Sequence, residues 1–204
     1  MTGSRHPVLR GFEVTDIFPF GGKLDALRVD EKAKVLMTFV PPFPVSPPET
    51  AWMREPRTDL PCLIVNDAPS GGRLAFLPAD LDRRFGRDNL PDHGNLLANL
   101  IRWTAKEDIP LAVEGRGLVD CHLYRQSDRL ILHLVNPTSA GTWRAPVEEL
   151  IPIGPLRVKL KLRPGVSAGK ARLLVSNEIV RAALGEHWAI IEIRSILDHE
   201  MVVL

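Results

Sequence analysis

The chain has 204 residues, 45% hydrophobic and 25% charged, which is enough to bury a core and too apolar for a disordered segment. Its 26 basic and 25 acidic residues give a formal net charge of +1 and are mixed along the chain, so charge points to neither a nucleic-acid partner nor a membrane surface. No run approaches the ~20 apolar residues of a membrane span, the first residues lack a signal-like apolar stretch, and two cysteines make no disulfide scaffold; a cytoplasmic, reducing setting is the expectation.

The first part alternates short apolar runs with Gly, Pro and Asp punctuation, and strands are predicted at 34–40, 61–66 and 73–79. Leu63-Ile64-Val65 and Leu74-Ala75-Phe76-Leu77 are continuously apolar, the pattern of strands covered on both faces, as in a parallel sheet. Between the first two runs lies a proline-stiffened excursion, 41–59, too long for an ordinary connection. Its Trp52 can stack on a sugar ring or bury at an interface, with Arg54, Glu55 and Arg57 as polar contacts, or it can plug the protein's own core.

A polar cluster follows the third run: Asp80, Asp82, Arg83, Arg84, Arg87, Asp88 and His93. In an open α/β sheet ligands bind beyond the carboxyl ends of the strands, so this loop can hold a polar ligand or a neighbouring subunit. The alternative is a salt-bridged surface loop whose Asp92 caps the next helix. That helix is predicted from Leu96, Leu97, Leu100 and Ile101, which share one face. Too few helices precede it for a complete doubly wound sheet, so the α/β part reads as partial.

From about Leu111 the period changes to two, which predicts a small antiparallel β-sandwich. Val158, Leu160 and Leu162 alternate with Lys159, Lys161 and Arg163; Gln126-Ser-Asp-Arg reads as a hairpin turn between strands at 119–125 and 130–136. Further strands fit 171–176, 179–184, 188–193 and 199–204. Adjacent on one strand, Cys121 and His122 point to opposite faces and form no catalytic dyad. His133 reads as a sheet-face residue, and the scattered histidines and cysteines predict no metal site. The joint is placed near Lys106-Glu-Asp-Ile-Pro-Leu, giving domains 1–108 and 109–204.

The run Gly72-Arg-Leu-Ala-Phe-Leu-Pro-Ala-Asp-Leu-Asp-Arg-Arg-Phe-Gly, followed by Asp92-His-Gly-Asn-Leu-Leu-Ala-Asn-Leu-Ile-Arg-Trp, resembles the β-galactosidase trimerisation domain, an amidotransferase-like or flavodoxin-like fold without its catalytic cysteine. Leu130-Ile-Leu-His-Leu-Val-Asn-Pro-Thr and Ser195-Ile-Leu-Asp-His-Glu-Met-Val-Val-Leu are similar to the C-terminal domains of hypothetical glycosyl hydrolases. The resemblance implies a partial flavodoxin/amidotransferase-like parallel sheet followed by a small antiparallel β-sandwich. It implies a noncatalytic oligomerisation or accessory region in carbohydrate metabolism, partnered by copies of itself or by a separate catalytic barrel. Such a barrel takes ~250 residues that the chain does not spare, so no catalytic residue carries over and no cofactor is expected. The chain also starts where the family pattern is in mid-domain, which is the expectation of a truncated gene or of a second chain supplying the missing half. A carbohydrate-binding module, with Trp52, Trp143 and Trp188 as stacking platforms, is the alternative, and an independent small hydrolase using Asp80 or Asp82 is a third.

Overall fold

The computed structural model describes residues 5–138, 149–162 and 168–204, and the chain divides into two units, Met1–Asp108 and Ile109–Leu204. In the first unit three strands pair in the order β1 (Lys34–Thr38), β2 (Pro61–Asp67), β3 (Arg73–Phe76). Both pairings are antiparallel, with Lys34 opposite Val65 and Thr38 opposite Pro61 on one side of β2, and Ile64 opposite Phe76 and Asp67 opposite Arg73 on the other.

This corrects the expected parallel, flavodoxin-like sheet. The connection from β2 to β3 is the turn 68–72, closed by the Ala68 N–H on the Gly72 carbonyl at 2.7 Å, with Gly71 at φ +82°. A parallel pair needs a crossover of a dozen residues or more, and five cannot reverse the chain direction twice. The apolar runs misled because only one face of the sheet is covered. Leu63 and Val65, with Ala75 and Leu77, pack in a core with Leu81, Leu96, Leu100 and Trp103. On the opposite face Val35, Leu74 and Phe76 are exposed around Ile64, which is buried between its cross-strand neighbours.

The covering element is α2 (Pro91–Thr104), preceded by α1 (Leu81–Asp88). Pro91 starts α2 at its first position, where the missing N–H costs nothing, and Leu90 is the cap residue. Asp92, expected as the cap, instead lies in the first turn, where its charge still suits the helix dipole. Asn89, in the left-handed region at φ 50°, ends α1 and turns the chain into α2. Gly94 lets the helices close, because a Cβ there would sit 2.7 Å from the Phe85 ring. The N-terminal turn Pro7–Leu9 is held on α2 by Asn99, whose Nδ2 donates to the carbonyls of Val8 (3.2 Å) and Arg10 (2.8 Å).

The second unit is all antiparallel, in the order β4-β7-β10-β9-β8-β11-β6-β5. Its strands are β4 (Leu111–Glu114), β5 (Asp120–Gln126), β6 (Arg129–Val135), β7 (Leu156–Lys161), β8 (Lys170–Leu173), β9 (Glu178–Gly185), β10 (Trp188–Ile193) and β11 (His199–Val203). Residues 178–181 of β9 pair with β8 and residues 182–185 with β10, so one strand belongs to both layers. This joins the two sandwich-like halves into a single sheet that curls into a nearly closed barrel, a strand-switching corner. Val158, Leu160 and Leu162, expected to face inward from their alternation with charged residues, are buried, and Leu132, Leu134, Ala189 and Ile191 are fully buried beside them. Truncating any of these leucines to alanine costs ~2–5 kcal/mol in a core of this kind.

Two buried polar side chains tie the connections of this unit. Asn136 Nδ2 donates to the carbonyls of Ile151 (2.8 Å) and Leu197 (2.7 Å), while its Oδ1 accepts from the Thr138 N–H (3.0 Å). Glu200 is 3% exposed and its carboxylate accepts from the backbone N–H groups of Val175 (2.8 Å), Ser176 (3.0 Å) and Met201 (2.8 Å), closing the turn between β8 and β9. Burial pushes this carboxyl up, but the Val175, Met201 and Ser176 donors outweigh it and hold its pKa below the ordinary 4.5. A folded pKa below the unfolded one contributes stability above pH 4.5 that is lost as pH falls through the folded value. Glu200→Gln is expected to lower stability by about 1–3 kcal/mol at pH 7, because its amide turns a donor toward donors, and to flatten the loss of stability below pH 4.5; denaturant melts across pH check both.

Candidate functional site

The first unit holds a cleft of about 880 Å³, walled by Phe12, Phe18 and Phe20 of the N-terminal stretch and by Phe39, Pro41, Pro42 and Phe43 after β1. Leu36, Cys62, Leu77, Leu81 and Leu96 also line it. It exists because the proline-rich segment leaves β1 in extended form while the N-terminal stretch runs back over α2. The size suits a small ligand, but the lining is mainly apolar, with Arg5, Asp16 and Arg57 as its charged groups.

His93 holds one wall. It is 1% exposed on the first turn of α2, its ring lies 5.1 Å from that of Phe18, and Nε2 is 2.9 Å from the Pro19 carbonyl. A carbonyl can only accept, so Nε2 carries the proton, and Nδ1 is buried with no hydrogen-bond partner among the described residues. In the sequence His93 closes the polar cluster at 80–93; in the fold it is a buried packing residue and not a group at the surface.

The rest of that cluster is helical rather than a loop, since residues 81–88 form α1. Asp80, at the helix N-cap, accepts from the Lys23 N–H (2.8 Å) and from Arg83 Nε (2.7 Å). The Arg83 guanidinium, with the Lys23 N–H, holds the Asp80 carboxyl below the usual range despite some desolvation. A carboxylate so held does not donate a proton as a general acid. Asp82 points into solvent from the first helical turn. Arg84 and Asp88 pair at 2.7 Å one turn apart, and Arg87 reaches Asp88 at 3.4 Å. These pairs, worth a few tenths of a kcal/mol each, stabilise the helix surface.

Within the proline-rich excursion Trp52 is 52% exposed, with the Arg54 guanidinium 4.8 Å above its ring; Glu55 is exposed and Arg57 reaches the cleft. Trp52 therefore does not plug the core. Trp188 opens β10 half-buried, and Trp143 lies outside the described residues. The two thiols, Cys62 in β2 and Cys121 in β5, are free and half-buried, and burial pushes both up, away from nucleophilic use. Among the described residues no group of three or more His, Cys, Asp or Glu is placed to hold a metal, and no helix is long and apolar enough to cross a membrane.

Sequence reasoning passed over one cluster. On the outer face of β5, Asp120, His122 and Tyr124 follow one another at every second residue, and His122 lies directly opposite His133 of β6. His122 Nε2 is 3.3 Å from Asp120 Oδ2, and Tyr124 meets the His133 ring edge to face at 5.7 Å. The period of two was the available signal, but it shows only which side chains share a face. Which strand brings His133 there depends on the hairpin register.

No family model and no curated protein matches the chain. Among solved structures it is similar to the α-L-fucosidase isoenzyme 2 from Paenibacillus thiaminolyticus, at 16% identity and a TM-score of 0.57, over 76% of this chain and 23% of that one. It also aligns with a Paenibacillus sp. cycloisomaltooligosaccharide glucanotransferase in complex with cycloisomaltoheptaose, at 14% identity and a TM-score of 0.34, over 53% of this chain and 20% of that one. The chain thus spans about a fifth to a quarter of the length of these neighbours. Both neighbours are carbohydrate-active enzymes, and the first likeness is one of fold.

His93→Ala is expected to release Phe18 and leave the Pro19 carbonyl unpaired, lowering stability by about 2–4 kcal/mol, as equilibrium denaturation would measure.

Proposed function

We propose that this chain is a noncatalytic accessory region of a glycoside-hydrolase-like enzyme in carbohydrate metabolism, and that its N-terminal unit docks on a sister subunit or a catalytic barrel. The observation that carries the reading is the sheet face on which Val35, Leu74 and Phe76 are exposed around the buried Ile64, an apolar surface that a unit working alone has no use for. Both edges of that three-stranded sheet, β1 and β3, are also unpaired among the described residues, a further reason to expect a partner. The fold likeness to part of an α-L-fucosidase supports the association with carbohydrate chemistry.

The placement of carboxylates agrees with a noncatalytic role. Glycoside hydrolysis needs two carboxyl groups about 5–9.5 Å apart with one of them raised in pKa, whereas Asp16 is the one carboxylate among the described residues lining the cleft. Asp80 is held down rather than raised. A second reading, a carbohydrate-binding module, is favoured by the exposed Trp52 with the Arg54 guanidinium over its ring.

Sedimentation velocity over a range of concentrations is expected to show self-association, or complex formation with a separately produced catalytic barrel, and Phe76→Lys should weaken it about tenfold or more. A monomer at every concentration, indifferent to its own copies and to the barrel, overturns the docking role. Turnover of chromogenic glycosides that is lost on Asp80→Asn or Asp82→Asn overturns the noncatalytic one.

A further inference from the structure

The outer face of β5 and β6 carries the cluster of Asp120, His122, Tyr124 and His133, and neither the cleft nor the docking face uses it. Tyr124 is 56% exposed, yet its ring is braced edge-on by His133, so it presents a fixed aromatic surface to solvent. Ile131 lies opposite Tyr124 across the hairpin and extends that surface sideways. Two residues along the strand and about 7 Å away lies His122, whose Nε2 is 3.3 Å from the carboxylate of Asp120, two residues further on, so the two form an exposed pair offering nitrogen and oxygen.

A pyranose ring has the matching shape. Its C–H face is apolar and packs on an aromatic ring, its rim carries hydroxyls that both donate and accept, and its width is close to the two-residue step along a strand. We propose that this face binds a pyranoside, stacked on Tyr124 with its hydroxyls toward His122 and Asp120. The proposal rests on the association with carbohydrate chemistry drawn above and names a site for it other than the tryptophans. It does not require a catalytic barrel or self-association.

The test is a titration of the full chain, followed by amide NMR shifts, with L-fucose, D-galactose and lactose, and with galactitol as an acyclic control. Saturable shifts confined to β5, β6 and their neighbours are expected for at least one cyclic sugar and not for galactitol. Tyr124→Ala is expected to weaken binding about tenfold or more, while Tyr124→Phe, which keeps the ring, stays within about twofold of the parent. His122→Asn leaves the aromatic surface in place and is expected to weaken binding several-fold. Absence of saturable shifts with all three sugars, shifts mapping elsewhere, or affinity unchanged by both Tyr124→Ala and His122→Asn overturns the proposal. Failure of the accessory role is read separately, by sedimentation and glycoside turnover, so the two outcomes are distinguishable.

Discussion

The division of β9 between two neighbours is the constraint on which the C-terminal unit depends. Its first half completes one layer and its second half the other, so a single eight-residue strand carries the sheet around the corner. Every inward residue of β6, β7, β10 and β11 then faces the same enclosed space, which is why those strands supply fully buried leucines, isoleucines and valines. The turn that delivers the chain into β9 is held by Glu200, and a buried carboxylate with three backbone donors is a firm anchor because losing any donor leaves charge in a dry place. The barrel stops short of closure between β4 and β5, where Leu111 and Val113 face Val119 and Cys121 across a gap of about 320 Å³. That gap accounts for the half-buried state of Cys121.

The N-terminal unit is built on the opposite balance. One helix, α2, covers one face of a three-stranded sheet, and there is no second layer for the other face among the described residues. Trp103 at the end of α2 is held between His6, at 5.1 Å, and the Arg73 guanidinium, at 5.1 Å, which pins the helix to the chain start and to β3. Such a unit has a well-made core on one side and an unfinished surface on the other. That asymmetry is the observation on which the proposed docking role rests.

The surfaces that remain are chemically distinct. The cleft is mainly aromatic and apolar with a few charged groups at Arg5, Asp16 and Arg57, the sheet face of Val35, Leu74 and Phe76 is apolar, and the β5–β6 face combines a braced aromatic ring with an exposed imidazole–carboxylate pair. The proposed sugar site rests on the third of these surfaces and the proposed docking role on the second. On the charged helix α1, Arg83, Arg84 and Arg87 make ion pairs with Asp80 and Asp88.

The sequence by itself determined most of the strands, the helix α2 and the inward residues of β7, because a period of two or of 3.6 is a local property written in successive residues. It also determined that Cys121 and His122 face opposite ways. Only the tertiary structure decided that β1, β2 and β3 run antiparallel, since strand direction depends on the length and course of the connections and on which edges meet. Continuous apolar runs such as Leu63-Ile64-Val65 are consistent with burial on two faces or on one, and contact with α2 is what separates Leu63 and Val65 from the exposed side. The same holds for the sites. Arg84 and Asp88 pair because a helix brings residues four apart together, whereas Tyr124 and His133, nine positions apart, meet only through the register of the β5–β6 hairpin.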